Sequence, residues 1–166
     1  SLKGGVEADW LLLDGQQRLT SLTQALTGDG VVRTKDARGQ KLDRRYYLDI
    51  DLALRGEDRI DEAVRSIPAD GMIRSNFGRD IEFDISTEAK ELEQRFFPLR
   101  LLFHQLGASL WLTKLPDVQA TLPAFMAQII GPVATYDIPA IQLDKTTSKS
   151  AVATVFEKVN TGGLPL

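Results

Sequence analysis

The chain has no cysteine, one histidine and few aromatic residues, 7% of the total. Without cysteine there is no disulfide framework, thiol nucleophile, iron–sulfur cluster or cysteine zinc site. One histidine leaves little room for a histidine metal site or a Ser-His-Asp triad. The lack of cysteine suits a reducing cytoplasm, where we expect the protein to work. No apolar run approaches the roughly 20 residues that a membrane-spanning helix needs, so we expect no membrane partner. The opening SLKGGVEADW has no basic-then-apolar signal pattern. Neither sign of charge dominates: 20 Lys+Arg against 23 Asp+Glu give a net charge of -3. That excludes a strongly basic nucleic-acid coat and a polyacidic tail.

What is present fits one domain, or one domain carrying an insertion, in 166 residues. A chain of that size buries roughly two-thirds of the surface it exposes when unfolded. Two features suggest a piece of a longer protein: a strand-like run, WLLL at 10–13, close to the start, and a stop at Leu166 just after a Gly pair.

Periodicity and turn residues divide the rest. Leu19, Leu22 and Leu26 share one helical face, and TGDG at 27–30 ends that helix. The polar stretch 31–45 reads as a hairpin-like or mobile loop, and YYLDIDL at 46–52 as a strand. Between Asp70-Gly71 and Asn76-Phe77-Gly78, both turn signals, and on either side of them, we expect a short helix at 57–65 and a short strand at 80–85. Residues 87–106 read as a helix interrupted by Pro98, with Leu99, Leu102, Phe103 and Leu106 on one face. A second helix is expected at 117–130, kinked at Pro123, and a strand at 138–143. The cleanest helix is 149–159, where Val152, Val155, Phe156 and Val159 fall at i, i+3, i+4 and i+7.

Two segments carry candidate chemistry. The first, DGQQRLTSL at 14–22, joins a strand to a helix. A purely structural account makes Asp14 the N-cap and Gln17 the reciprocal residue of a capping box. Two details fit that account poorly. Gly15 at the first helical position costs roughly 0.5–1 kcal/mol relative to Ala. Arg18 sits near the positive end of the helix dipole, a cost of roughly 0.3–1 kcal/mol unless an anion lies over it. Helix N–H groups, a glycine and a guanidinium together suit a phosphate. Gln16 and Gln17 can add neutral hydrogen bonds to a phosphate, a base or a water. The spacing is not that of a Walker A loop.

The second segment is VFEKVNTGGLPL at 155–166. Its structural account is a helix end, with Asn160 to Gly163 as left-handed cap residues and Pro165 as the stop. Its functional account is a polar turn whose Asn160, Thr161, Gly162 and Gly163 meet the ligand from the other side.

Weaker candidates have blander explanations. His104 reads as a satisfied, partly buried side chain. Asp49 and Asp51 point to one face of a strand and read as solvated rather than as metal ligands. Lys41, Arg44 and Arg45 read as a solvated basic cluster rather than a nucleic-acid contact. Trp10, Trp111, Phe96, Phe97 and Phe103 read as core.

Together, LLLDGQQRLTSL at 11–22 and VFEKVNTGGLPL at 155–166 resemble the paired signatures of the GmrSD-type restriction endonuclease N-terminal domains. Their order and the long helical insert between them match that family. Asp14, Gly15, Gln16, Gln17 and Arg18 match the first signature. Phe156, Glu157, Asn160, Thr161, Gly162, Gly163, Pro165 and Leu166 match the second, and Lys158 replaces an arginine.

The resemblance implies an α/β fold: a small ParB/sulfiredoxin-like core with a mostly helical insertion at 86–135, truncated at both ends. It also implies a nucleotide-binding, NTP-hydrolysing regulatory part of a modification-dependent DNA restriction or anti-phage system. The cofactor would be a nucleoside triphosphate with magnesium. The partners would be DNA, through the full-length protein, and an HNH-type nuclease domain or subunit. Asp14, Gln17 and Arg18 would be the catalytic residues. The family's upstream Q-R-x-Y/W motif and its nuclease domain have no counterpart here, so this chain is not expected to cut DNA. Two alternatives stand beside this reading: a switch module that binds a nucleotide or DNA phosphate without turnover, and a structural scaffold for a nuclease partner.

Overall fold

The computed structural model describes residues 12, 15–36, 38–140, 142–144 and 146–161, the last four of these by their backbone alone. The chain divides into two compact units, residues 20–136 and residues 1–19 with 137–166. It mixes helices and strands, as expected, and every strand pair among the described residues is antiparallel.

In residues 20–136 the sheet is built around one strand. The expected hairpin over 31–45 forms from β1 (Val31–Lys35) and β2 (Lys41–Asp49), paired from Val31↔Arg45 to Lys35↔Lys41. Asp36 closes its turn, accepting from the backbone N–H of Gln40 at 2.8 Å. β2 does not extend to residue 52. It ends at Asp49, whose carboxylate caps the helical turn α2 (Ile50–Ala53) by accepting from Leu52 N at 3.0 Å. Asp49 therefore spends its side chain on a helix cap, which corrects the reading of Asp49 and Asp51 as two positions on one strand face.

After α3 (Ile60–Ala63), β3 (Val64–Pro68) pairs with one edge of β2, from Leu48↔Val64 to Arg44↔Pro68. A separate hairpin follows, β4 (Met72–Ser75) with β5 (Asp80–Asp84), the latter close to the strand expected at 80–85. The stretch 87–106 is not an interrupted helix. It holds α4 (Glu88–Glu93), capped by Thr87, and then β6 (Phe96–Pro98). β6 pairs with β2 at Tyr47, Leu48 and Asp49. Because Tyr47 and Leu48 also pair with β3, β6 must lie on the opposite edge, in line with β1.

Alternation along the strands then sorts the core into two layers. Leu48 and Phe97 are directly paired and face the helices α5 (Gln105–Leu112) and α6 (Val118–Phe125). There Phe97 meets the Trp111 ring edge-on, centroids 5.4 Å apart, and the Phe125 ring at 4.9 Å. Tyr47, Ile67 and Phe96 face the other way and pack with Ile85, Ile73 and Phe83. Trp111, Phe96 and Phe97 are core, as expected, whereas Phe103 is exposed.

The helix expected at 117–130 passes through Pro123 without stopping. A π-helical turn at Met126–Ile130 carries it into α7 (Gly131–Ala134). Arg95 ties these parts together from a left-handed backbone position, φ 58°. Its guanidinium donates to Asp51 at 2.7 Å, Asp117 at 2.5 Å and Thr121 Oγ1 at 3.0 Å. Asp51 is thus half of an ion pair, not a metal ligand.

In the other unit, α8 (Lys149–Thr161) covers the helix expected at 149–159 and runs two residues further. Ser148 starts it, accepting from Ala151 N at 3.3 Å. Before it, the Asp144 carboxylate accepts from the Thr146 hydroxyl at 2.6 Å and the Thr146 N–H at 2.8 Å, and these bonds hold its pKa below the usual carboxylate value. The described residues of 138–143 form no strand, and Ile138 is 63% exposed. The strand expected at 10–13 lies outside the described residues except for Leu12, which is not in a strand.

Candidate phosphate site at the start of the first helix

Helix α1 (Gln16–Leu26) begins one residue later than the capping-box account requires. Gly15 has φ +79°, a left-handed value outside the helix. Its carbonyl already accepts the first helical bond, from Leu19 N at 2.8 Å. Gly15 is therefore the N-cap, and Gln16, Gln17 and Arg18 are the first three helical residues. The third position belongs to Arg18, not Gln17, so the Asp14–Gln17 capping box is out of register. The glycine also has a conformational reason for being there: a residue with a Cβ pays a steric penalty at this φ. Asp14 itself lies outside the described residues.

This geometry leaves an N-cap with no side chain to accept from the first-turn amides. Their N–H groups point out of the helix end, where the macrodipole is positive. The first turn contains no acidic residue. It contains Arg18, which is exposed and folds back over the cap: a Cβ built on Gly15 would lie 3.8 Å from both Nε and Nη2 of Arg18. The Arg18 guanidinium and the first-turn amides thus lie together at one exposed point. The arrangement suits an anion that accepts several short hydrogen bonds. Gln17 is exposed beside it, and Gln16 donates from Nε2 to the Leu12 carbonyl at 2.7 Å, tying the incoming segment to the helix.

The second signature meets the structure only in part. Asn160 and Thr161 are the last helical residues of α8 rather than cap residues beyond its end. Gly162 and Gly163 lie outside the described residues. Residues 15–18 of the first signature and 155–161 of the second fall in the same compact unit, residues 1–19 with 137–166.

The weaker candidates resolve into structural roles. His104 is an exposed N-cap of α5, not a partly buried helical residue; its Nδ1 accepts from Gly107 N at 2.8 Å. Gly107 permits this, since a Cβ there would fall 2.4 Å from that nitrogen. The basic cluster on β2 is split by strand alternation: Arg44 donates to Ser66 Oγ at 3.0 Å, while Arg45, its neighbour, points to the opposite face. Trp10 is outside the described residues. Among the described residues, no helix is long and apolar enough to cross a membrane.

Two features were not singled out by sequence reasoning. One is Phe77, at the tip of the β4–β5 hairpin. The other is Glu91, a buried carboxylate on α4 that accepts from the Tyr47 hydroxyl at 3.1 Å and from Trp111 Nε1 at 3.4 Å. Burial raises the Glu91 pKa above its ordinary 4.5, against the lowering effect of those bonds and of Arg100. Burial and the nearby Glu91 push the Tyr47 hydroxyl up to about 12. A carboxyl pKa raised by folding contributes stability below its unfolded value and loses it as pH rises through the folded value. Between pH 4.5 and neutrality, wild-type unfolding free energy should therefore fall relative to Glu91→Gln. Urea unfolding of both across that range reads the effect, and parallel curves would contradict it.

The sequence profile of the GmrSD restriction endonuclease N-terminal domain matches residues 2–166. The chain belongs to this family. It is 29% identical over 160 residues to the uncharacterized protein MJ0686 of Methanocaldococcus jannaschii, an alignment covering 94% of this chain and 26% of that protein. The chain thus spans about a quarter of that relative's length. No solved structure matches it.

Proposed function

We propose that the Gly15–Arg18 helix start is the phosphate site of a nucleoside triphosphate, and that the chain is the nucleotide-sensing, NTP-hydrolysing part of a modification-dependent DNA restriction protein. One observation carries this reading: the helix opens on a left-handed glycine that offers no cap, with the Arg18 guanidinium folded over it. The residues present fit a phosphate: the first-turn amides at the positive end of the helix and the exposed Arg18 guanidinium lie together, and no acidic residue stands in that turn. The backbone N–H groups of Gln16 to Arg18 and the Arg18 side chain would hold phosphate oxygens. Gln17 would orient the attacking water, and Asp14 would hold the loop or a magnesium ion. Asn160, Thr161, Gly162 and Gly163 would approach the nucleotide from the second signature. A bound triphosphate with magnesium supplies the leaving group. This chain's contribution is positioning and charge stabilisation.

The ParB/sulfiredoxin-like core belongs with the two signatures, and the mostly helical stretch 86–135 is the insertion. Its β6 adds a strand to the sheet of the larger unit. In the longer protein, an HNH-type nuclease domain or subunit would act on DNA under control of the nucleotide cycle. Phosphate release by the full-length protein should drop at least tenfold in Arg18→Ala, the scale on which lost transition-state charge stabilisation acts. Equal turnover in both would remove Arg18 from the mechanism, and binding without turnover in the wild type would make the site a switch.

A further inference from the structure

The hairpin of β4 and β5 does not close completely on the four-stranded sheet. Between them lies a cavity of about 260 Å³, lined by Arg65, Ile67, Ile73, Glu82, Phe83 and Phe96. Its floor is apolar. Ile67 and Phe96 are buried, Ile73 and Phe83 pack against them, and the Phe83 and Phe96 ring centroids lie 5.0 Å apart. Protein interiors are close-packed and hold few voids larger than a water molecule. At about 30 Å³ per water-sized atom, this one has room for about nine non-hydrogen atoms.

The lining also carries two opposite charges. Arg65 lies two residues before Ile67 on β3 and so shares its face of the sheet. Glu82 is the extra residue of a β-bulge: Ile73 pairs with Phe83 and Arg74 with Ile81, which leaves Glu82 outside the register. Regular alternation would send Glu82 and Phe83 to opposite faces, yet both line the cavity. The other carboxylates of the hairpin are engaged, Asp70 by Arg74, Asp80 by Asn76 and Asp84 by Lys90. Arg65 and Glu82 are exposed, and neither makes a side-chain hydrogen bond or ion pair with any described residue, including each other.

We propose that this cavity binds a small zwitterion with an apolar body, an α-amino acid about the size of leucine or methionine. Its carboxylate meets the Arg65 guanidinium, its ammonium meets the Glu82 carboxylate, and its side chain fills the space against the four apolar residues. The pattern of charge favours this class over others. A fatty acid or a phosphate would gain Arg65 but face Glu82. An amine would gain Glu82 but face Arg65. A purely apolar guest would take water from both charges and return nothing. The inference goes beyond the nucleotide reading and uses none of its residues.

The test is calorimetric titration of the full chain with L-leucine and L-methionine. Beside them run 4-methylpentanoate and 3-methylbutylamine, which are leucine without its ammonium and without its carboxylate. We expect saturable binding of an amino acid, with each singly charged analogue weaker by roughly 10- to 150-fold, the range for a hydrogen bond to a charged group. Glu82→Gln should lose amino-acid affinity by a similar factor. It should also bind 4-methylpentanoate more tightly than the wild type does, because the repulsion is gone. Its unfolding temperature should not change, since Glu82 has no partner to lose. Ile73→Phe, which fills the cavity from one wall, should abolish amino-acid binding. Affinity for a non-hydrolysable nucleoside triphosphate should be the same in Glu82→Gln as in wild type, so this proposal and the nucleotide reading fail separately. No saturable binding of either amino acid at millimolar concentration would overturn the proposal. So would equal leucine and methionine affinities in wild type and Glu82→Gln, or a singly charged analogue that binds as tightly as leucine.

Discussion

Phe97→Ala is expected to cost about 3–5 kcal/mol of stability, the usual range for removing a buried aromatic ring. Phe97 is 0% exposed and stands where the sheet meets the helices. Its neighbours cannot close the space easily. On one side it is fixed by the backbone pairing of β6 with β2 at Leu48. On the other it is flanked by the Trp111 and Phe125 rings, themselves 2% and 0% exposed. Removing the ring takes away two aromatic contacts as well as the transfer term. Since native domains are stable by only about 5–15 kcal/mol, the variant should lose most of its urea midpoint and melt far below the wild type. A shift under about 1 kcal/mol would mean that Phe97 does not join the two layers of this core.

Gly71→Ala should be almost as severe, for a different reason. Gly71 turns β3 into β4 at φ +78°, where a Cβ is disfavoured by roughly 1–2 kcal/mol. It is also pinned from both sides: its N–H donates to Pro68 O at 2.8 Å, and its carbonyl accepts from Ile85 N at 2.8 Å. A Cβ would fall 2.6 Å from Ser86 Cα and 2.8 Å from Ser86 N, both backbone atoms that cannot rotate aside. Overpacking adds roughly 1–3 kcal/mol, so the total is about 2–5 kcal/mol. Gly39→Ala is the internal control. Gly39 has the same φ, +78°, but nothing lies within 4 Å of its Cβ position. It should lose only the conformational part. Similar losses in the two variants, read by chemical denaturation, would show that the close approach to Ser86 has no energetic weight.

The contrast between elements explains what the sequence could reveal. α8 was legible because its apolar residues, Val152 to Val159, repeat at helical spacing over about two turns. The polar stretch 31–45 left a hairpin and a mobile loop both open, and the turn residues at 70–71 and 76–78 marked the ends of β4 without revealing the strand between them. β6 was not legible. Phe96, Phe97 and Pro98 are all buried, so the three-residue strand shows no alternation, and the leucines after it imitate a helix face. Leu19 and Leu22 marked the helix correctly, yet they are 40% and 47% exposed, and Ala25 is the buried residue of that helix. Periodicity reports which residues share a face, not what covers it.

At the candidate site, the residue types were readable and the register was not. Asp14 followed by Gln17 has capping-box spacing, but one left-handed glycine moves the helix start and puts Arg18 at its third position. Glu91 was hidden for another reason. Its donors, Tyr47 and Trp111, lie 44 and 20 residues away in the chain, so no local pattern announces a buried carboxylate.

The central claim is that the opening of α1 holds a triphosphate through Arg18 and the amides beside it. Calorimetric titration of the protein with a non-hydrolysable nucleoside triphosphate and magnesium, in parallel with Arg18→Ala and Arg18→Lys, tests it most directly. We expect saturable binding by the wild type, partial retention in Arg18→Lys and loss in Arg18→Ala. Ligand at about 100 times Kd should also stabilise the wild-type fold by roughly 2.7 kcal/mol. Undiminished affinity in Arg18→Ala, or no binding of any of the common nucleoside triphosphates to the wild type, would contradict the account.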